Sequence, residues 1–174
     1  MTLLEPISDH VPVSHDAVWN DAVWQQIVDR IARALDAQLA AKDAIQVVRS
    51  PVVLCMPGYD PVQPALLLLR AGSHSNQRQV CDIPALLVEV CPVVAPAPDS
   101  ETEPAVYAQA GVPEYWIVRP VERDLLIYSR PDPVLEIYTQ LTVIAPDGEV
   151  RSPTLPFRAT MASFFAADEM PDAE

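Results

Sequence analysis

Pro84-Ala85-Leu86-Leu87-Val88-Glu89-Val90 decides how the chain is read. It is an apolar run of strand length with one carboxylate set inside it. A run of this kind fits a central strand covered on both faces. An ionisable side chain in such a strand is costly unless it is hydrogen-bonded, paired or holding a cation. Glu89 is therefore either a partly hydrated carboxylate near a strand end or what remains of a site, and the residues around it carry the functional question.

Working outward, Gln63 to Arg70, with Leu66-Leu67-Leu68-Leu69, reads as a second strand. Ile45 to Met56 is β-rich and broken by Pro51, so it is one bent edge strand or two short ones. Pro57-Gly58-Tyr59-Asp60-Pro61 is turn chemistry. Ala71 to Gln79 is polar and reads as a loop in which His74 is solvated. Before these, apolar Ile27, Val28, Ile31, Leu35 and Leu39 make one helical stripe that ends near Lys42, with Ser14 as a cap upstream.

After the central run, Pro92, Pro96 and Pro98 mark an extended connector. Asp99 to Gly111 reads as a helix whose start, set by Pro104 in its first turn, lies near Thr102 or Glu103. Glu114 to Arg119 is a strand, with Glu114, Tyr115 and Trp116 as strand core rather than a base-stacking surface. Leu125 to Ser129 pairs with it. Pro131-Asp132-Pro133 turns into Leu135 to Val143, Pro146-Asp147-Gly148 turns again, and Thr160 caps a closing helix through Phe165. Helix, strands, strand, helix, strands is an α+β order with a mixed β-sheet flanked by helices.

The chain has 174 residues, half of them hydrophobic, which suits a single domain over 1–174. Residues 1–13 read as an irregular lead-in and 168–174 as a frayed acidic tail. No apolar run reaches the roughly 18 residues of a membrane helix, and the first residues lack a signal pattern, so a cytoplasmic protein with no membrane partner is expected. Cys55, Cys81 and Cys91 match no zinc or redox spacing and are read as reduced and structural. There are 24 acidic against 11 basic residues, a net charge of −13, with Lys42 the sole lysine. Such a surface repels phosphate backbones, and the arginines are scattered, so DNA is disfavoured as a partner.

Val88-Glu89-Val90, Tyr107-Ala108-Gln109-Ala110-Gly111-Val112-Pro113-Glu114-Tyr115-Trp116-Ile117-Val118, Leu155-Pro156-Phe157 and Phe164-Phe165 together resemble the Uma-two-type restriction endonuclease family of the PD-(D/E)XK nuclease superfamily. The resemblance runs from about Asp21 to Phe165 and is most specific in Ala110 to Trp116. The family's N-terminal hairpin segment is shortened or missing. The resemblance implies a restriction-endonuclease-like fold and Mg²⁺-dependent DNA hydrolysis. In such enzymes the ion sits between an Asp and a Glu on neighbouring strands, polarises the phosphate and activates water, and a lysine stabilises charge.

Carried onto this chain, that site is altered. The family's two Pro-Asp pairs fall on Pro64-Ala65 and Pro84-Ala85, so both aspartates are alanine. Glu89 remains as the catalytic remnant. The family's later acidic position falls on Asp99, and its lysine falls on Glu103. Any metal would be held by Glu89 and Asp99, with Glu103 nearby; Asp60 and Asp82 are candidate replacements and Lys42 a candidate cation. The resemblance thus implies a nuclease-fold protein with a degenerate active site, a pseudoenzyme acting as a binding or assembly module, and a homodimer by family analogy. The alternatives are an Mg²⁺-dependent endonuclease with relocated ligands and a cation- or small-ligand-binding protein on the same scaffold.

Overall fold

In the computed structural model the described residues are 21–39, 45–73, 75–76, 79–91 and 102–165. In chain order they form α1 (Asp21–Leu39), β1 (Ile45–Arg49), β2 (Val53–Leu54), β3 (Leu66–Arg70), β4 (Ser75–Asn76), β5 (Gln79–Val80), β6 (Leu86–Val90), α2 (Thr102–Gln109), β7 (Glu114–Arg119), β8 (Asp124–Asp132), β9 (Ile137–Ile144), β10 (Glu149–Arg151) and β11 (Arg158–Thr160). A 3₁₀ turn, Met161–Ser163, closes the series. The expected lead-in, the Ser14 cap, Lys42, His74, the proline connector, Asp99 and the acidic tail lie outside the described residues. No helix of the described residues is long and apolar enough to cross a membrane.

The main sheet has six strands in the order β1-β3-β6-β7-β8-β9. Only β6 and β7 pair in parallel; every other neighbouring pair is antiparallel. The crossover from β6 to β7 carries α2, as a parallel connection requires. This is the α+β, mixed-sheet architecture expected from the element order.

Alternation explains the leucine runs. Leu66, Leu68, Leu86, Val88, Trp116 and Val118 point to one face, where Ile27, Val28, Ile31, Leu35 and Leu39 of α1 cover them. Leu67, Leu69, Leu87, Tyr115 and Ile117 point to the other, against Tyr107 of α2 and the small sheet that holds Leu54 and Val80. Since both faces of the central strands are covered, the polar alternation of a one-sided strand is absent from their sequence. The Trp24 indole N–H donates to the Val90 carbonyl at 3.2 Å and fixes α1 against the end of β6.

Of the two forms expected for Ile45 to Met56, the chain takes two short strands, which lie in different sheets on either side of the cis Ser50–Pro51 bond. Other local readings are corrected. The loop 71–79 contains β4 and the start of β5. Pro131 and Asp132 belong to β8, and the turn follows them: Asp132 Oδ1 accepts the Val134 and Leu135 N–H groups, both at 3.0 Å. Thr160 makes no side-chain cap, and the closing helix is a single 3₁₀ turn. The hairpin of β10 and β11 was not expected. Gly148 allows its approach, because a Cβ there would lie 2.7 Å from Ile144 Cγ2.

Candidate functional site

Glu89 sits one residue from the end of β6, and its parity with Leu87 turns it to the α2 face. Two elements deliver its partners. α2 ends at Gly111, whose positive φ of 79° lets the chain reverse into β7. Tyr107 in the last turn of α2 donates its hydroxyl to Glu89 Oε1 at 3.0 Å. Tyr115 of β7, paired with Leu87 in the parallel register, donates to Oε2 at 2.9 Å. The two phenol rings meet edge to face, centroids 4.8 Å apart. Tyr128 stacks behind Tyr115 and Tyr138 behind Tyr128, so the carboxylate stands at one end of an aromatic row.

Glu103, in the first turn of α2, is close enough to share a hydrogen bond with Glu89. Burial and then the Glu103 charge push Glu89 up to about 7 from an ordinary 4.5, against the opposing pull of the two phenol donors. Cys91, two residues on, is pushed up to about 12 by burial, then Glu89 and Glu103, which leaves an unreactive thiol. Both tyrosines are raised, chiefly by burial and then by Glu89, so they remain donors at any physiological pH. The cation that bears on this end of the sheet is Arg119. It is engaged by Asp124, Nε to Oδ1 at 2.8 Å and Nη2 to Oδ2 at 2.5 Å.

The two alanines do not stand equally to Glu89. Leu66 pairs with Val88, which brings the start of β3 level with the Glu89 end of β6, and the Ala65 methyl is buried in the cluster on the α1 face. Ala85 precedes the other end of β6, about 13 Å away at the usual rise of a strand, too far to share an ion with Glu89. Asp82 also precedes β6, at the end remote from Glu89, and Asp60 stays exposed in the turn before β3. Glu103 is the one predicted acid brought to Glu89, and Asp99 lies outside the described residues. Among the described residues no group of three or more His, Cys, Asp or Glu is placed to hold a metal ion. Both oxygens of Glu89 accept hydrogen bonds from phenol hydroxyls. The acids that the described residues bring together there are Glu89 and Glu103.

Sequence reasoning treated Tyr107 and Tyr115 only as packing and overlooked Arg119. Strand parity was the available signal, since it puts Tyr115 and Glu89 on one face. The second buried acid, Glu114, is completely inaccessible on the opposite face. Its oxygens accept from the Trp116 indole at 2.6 Å, the Ser152 hydroxyl at 2.7 Å and the Thr154 hydroxyl and N–H. These bonds fasten the loop after β10 to β7, which is a structural task.

A family profile described as "Putative restriction endonuclease", Uma2, matches residues 21–162. No curated protein matches the sequence. Among solved structures, the chain is similar to a crystal structure titled as that of "a putative nuclease belonging to DUF820 from Anabaena variabilis ATCC 29413". The identity is 13%, the TM-score 0.64, and the match covers 81% of this chain and 79% of that one. At that identity the likeness concerns the fold.

Proposed function

Since this chain belongs to the Uma2 family, we propose that it is a restriction-endonuclease-like protein with a degenerate metal and catalytic centre, acting as a binding or assembly module rather than a nuclease. The observation that carries this reading is the environment of Glu89. Each of its two oxygens accepts one hydrogen bond, from Tyr107 and Tyr115, and its charged neighbour is Glu103, at the position where the resemblance implies a lysine. A phosphodiester undergoing attack accumulates negative charge and needs cations or donors aimed at it. This site offers a second carboxyl instead, and the buried methyl of Ala65 stands at a position where the resemblance implies an aspartate.

The −13 charge supports the same reading, because it weakens attraction to nucleic acid and leaves proteins as the better partners. The test is nicking of supercoiled plasmid with Mg²⁺ or Mn²⁺, using the wild type and Glu89→Ala. No cleavage by either protein is the expected result. Cleavage that disappears in Glu89→Ala overturns the reading in favour of an Mg²⁺-dependent endonuclease with relocated ligands, Asp99 joining Glu89.

A further inference from the structure

The small sheet sets two cysteines next to each other. β2 and β5 run parallel, with Val53 opposite Gln79 and Leu54 opposite Val80. The pairing reaches one residue further: the Cys55 N–H donates to the Val80 carbonyl at 2.8 Å, and that carbonyl belongs to the peptide that joins Val80 to Cys81. Cys55 and Cys81 are thus the residues that follow the last pair on two adjoining strands.

Alternation puts both thiols on one face. Leu54 and Val80 are fully buried, whereas Cys55 is half-buried and Cys81 exposed, and neither is in a disulfide. A contact fixes the same face independently. The Gln79 side-chain N–H donates to Cys55 Sγ at 2.9 Å, and Gln79 stands two residues before Cys81, on the same side of its strand. Neighbouring strands lie about 4.8 Å apart, inside the roughly 4.4–6.8 Å between Cα atoms that a disulfide spans. Cys91 has no such neighbour in this sheet; its N–H is bound to the Val118 carbonyl of the main sheet at 2.9 Å.

We propose that Cys55 and Cys81 form a reversible disulfide site, oxidised by exchange with a low-molecular-weight disulfide. The exposed Cys81 loses its proton and attacks one sulfur of the incoming disulfide, whose S–S bond breaks and releases one thiol. Cys55 then loses its proton and attacks the Cys81 sulfur of the mixed disulfide, and the second thiol leaves. The two protons from the cysteines end on the two leaving thiols. The small disulfide is reduced as the protein pair is oxidised. The Gln79 N–H at Cys55 Sγ favours the thiolate that makes the second attack. The product ties β2 to β5 and closes a ring that contains β3 and β4. The inference uses nothing about Glu89, so it stands or falls separately from the nuclease reading.

The test is thiol accounting on the full native chain, equilibrated in mixtures of reduced and oxidised glutathione, alkylated and mapped by peptide mass spectrometry. Of the 3 cysteines, Cys55 and Cys81 are expected in linked peptides and Cys91 alkylated. Half-conversion is expected in a mixture at least about tenfold more reducing for the native chain than for the chain in urea, because folding raises the effective concentration of one thiol at the other. Dithiothreitol should restore both thiols. In Cys55→Ser, glutathione should accumulate on Cys81, since the second attack is lost. A link that includes Cys91, glutathione left on Cys81 of the wild type, or the same half-conversion point in native and unfolded chains overturns the proposal. So does a wild type that keeps every thiol in all mixtures.

Discussion

The Tyr115 hydroxyl reaches across the parallel β6–β7 pair to Glu89 and donates to Oε2 at 2.9 Å, so a half-buried carboxylate is held by a phenol rather than a cation. A phenol satisfies a lone pair without neutralising the charge. Burial and Glu103 then dominate, and the proton stays on to about pH 7.

That shift has a sign in stability. The folded state holds the Glu89 proton up to about pH 7, whereas the unfolded chain releases it near 4.5. The folded protein binds more protons between those values, so stability falls as pH rises through the window and the loss is complete above 7. The shift corresponds to roughly 3 kcal/mol. Urea midpoints measured from pH 4.5 to 8 should decline in the wild type, with much of the decline removed in Glu89→Gln. An equally steep decline in Glu89→Gln would assign the effect to other acids.

The phenols oppose the shift, so removing one should enlarge it. In Tyr107→Phe and in Tyr115→Phe the carboxylate loses a donor that favours its charged form. The midpoint of the same pH profile should move upward in each. A midpoint that moved down would mean the hydroxyls stabilise the protonated acid instead.

Position 65 gives a reconstruction experiment. Ala65→Asp combined with Glu103→Lys places a carboxylate at the start of β3, level with the Glu89 end of β6, and a cation where the resemblance implies a lysine. Mn²⁺ should then raise the melting temperature of the double variant and not that of the wild type, a stabilisation of about 2.7 kcal/mol at a hundred times Kd. Ala85→Asp should give no such response, because residue 85 lies at the far end of β6. A response from Ala85→Asp alone would contradict the assigned geometry.

Glu114 should matter for folding rather than for activity. Glu114→Ala strands the fully buried Trp116 indole N–H and frees the half-buried Ser152 and the exposed Thr154, which water can reach. The orphaned indole costs about 1–3 kcal/mol, so a loss of roughly 2 kcal/mol is expected in urea unfolding. A loss below about 1 kcal/mol would show that water replaces the carboxylate there.

Much of this protein was legible in one dimension because the relevant physics is local. Ile27 to Leu39 announces α1 by its spacing, Gly111 announces the end of α2, and the apolar runs at 66–69 and 86–90 announce strands covered on both sides. The 110–116 block carried the family, and with it the mixed sheet. The errors fell where local signals compete. Pro131 resembles a turn residue but ends a strand, and β10 and β11 are too short to show a period.

The sequence by itself determined the longer elements, the sheet class and the family, since side-chain period and backbone restrictions depend only on neighbours along the chain. Only the tertiary structure decided that two tyrosines 18 and 26 residues away hold the oxygens of Glu89, and that β9 has β8 as its one strand neighbour among the described residues. Those facts depend on strand register and strand order, which are set by how distant segments bury one another.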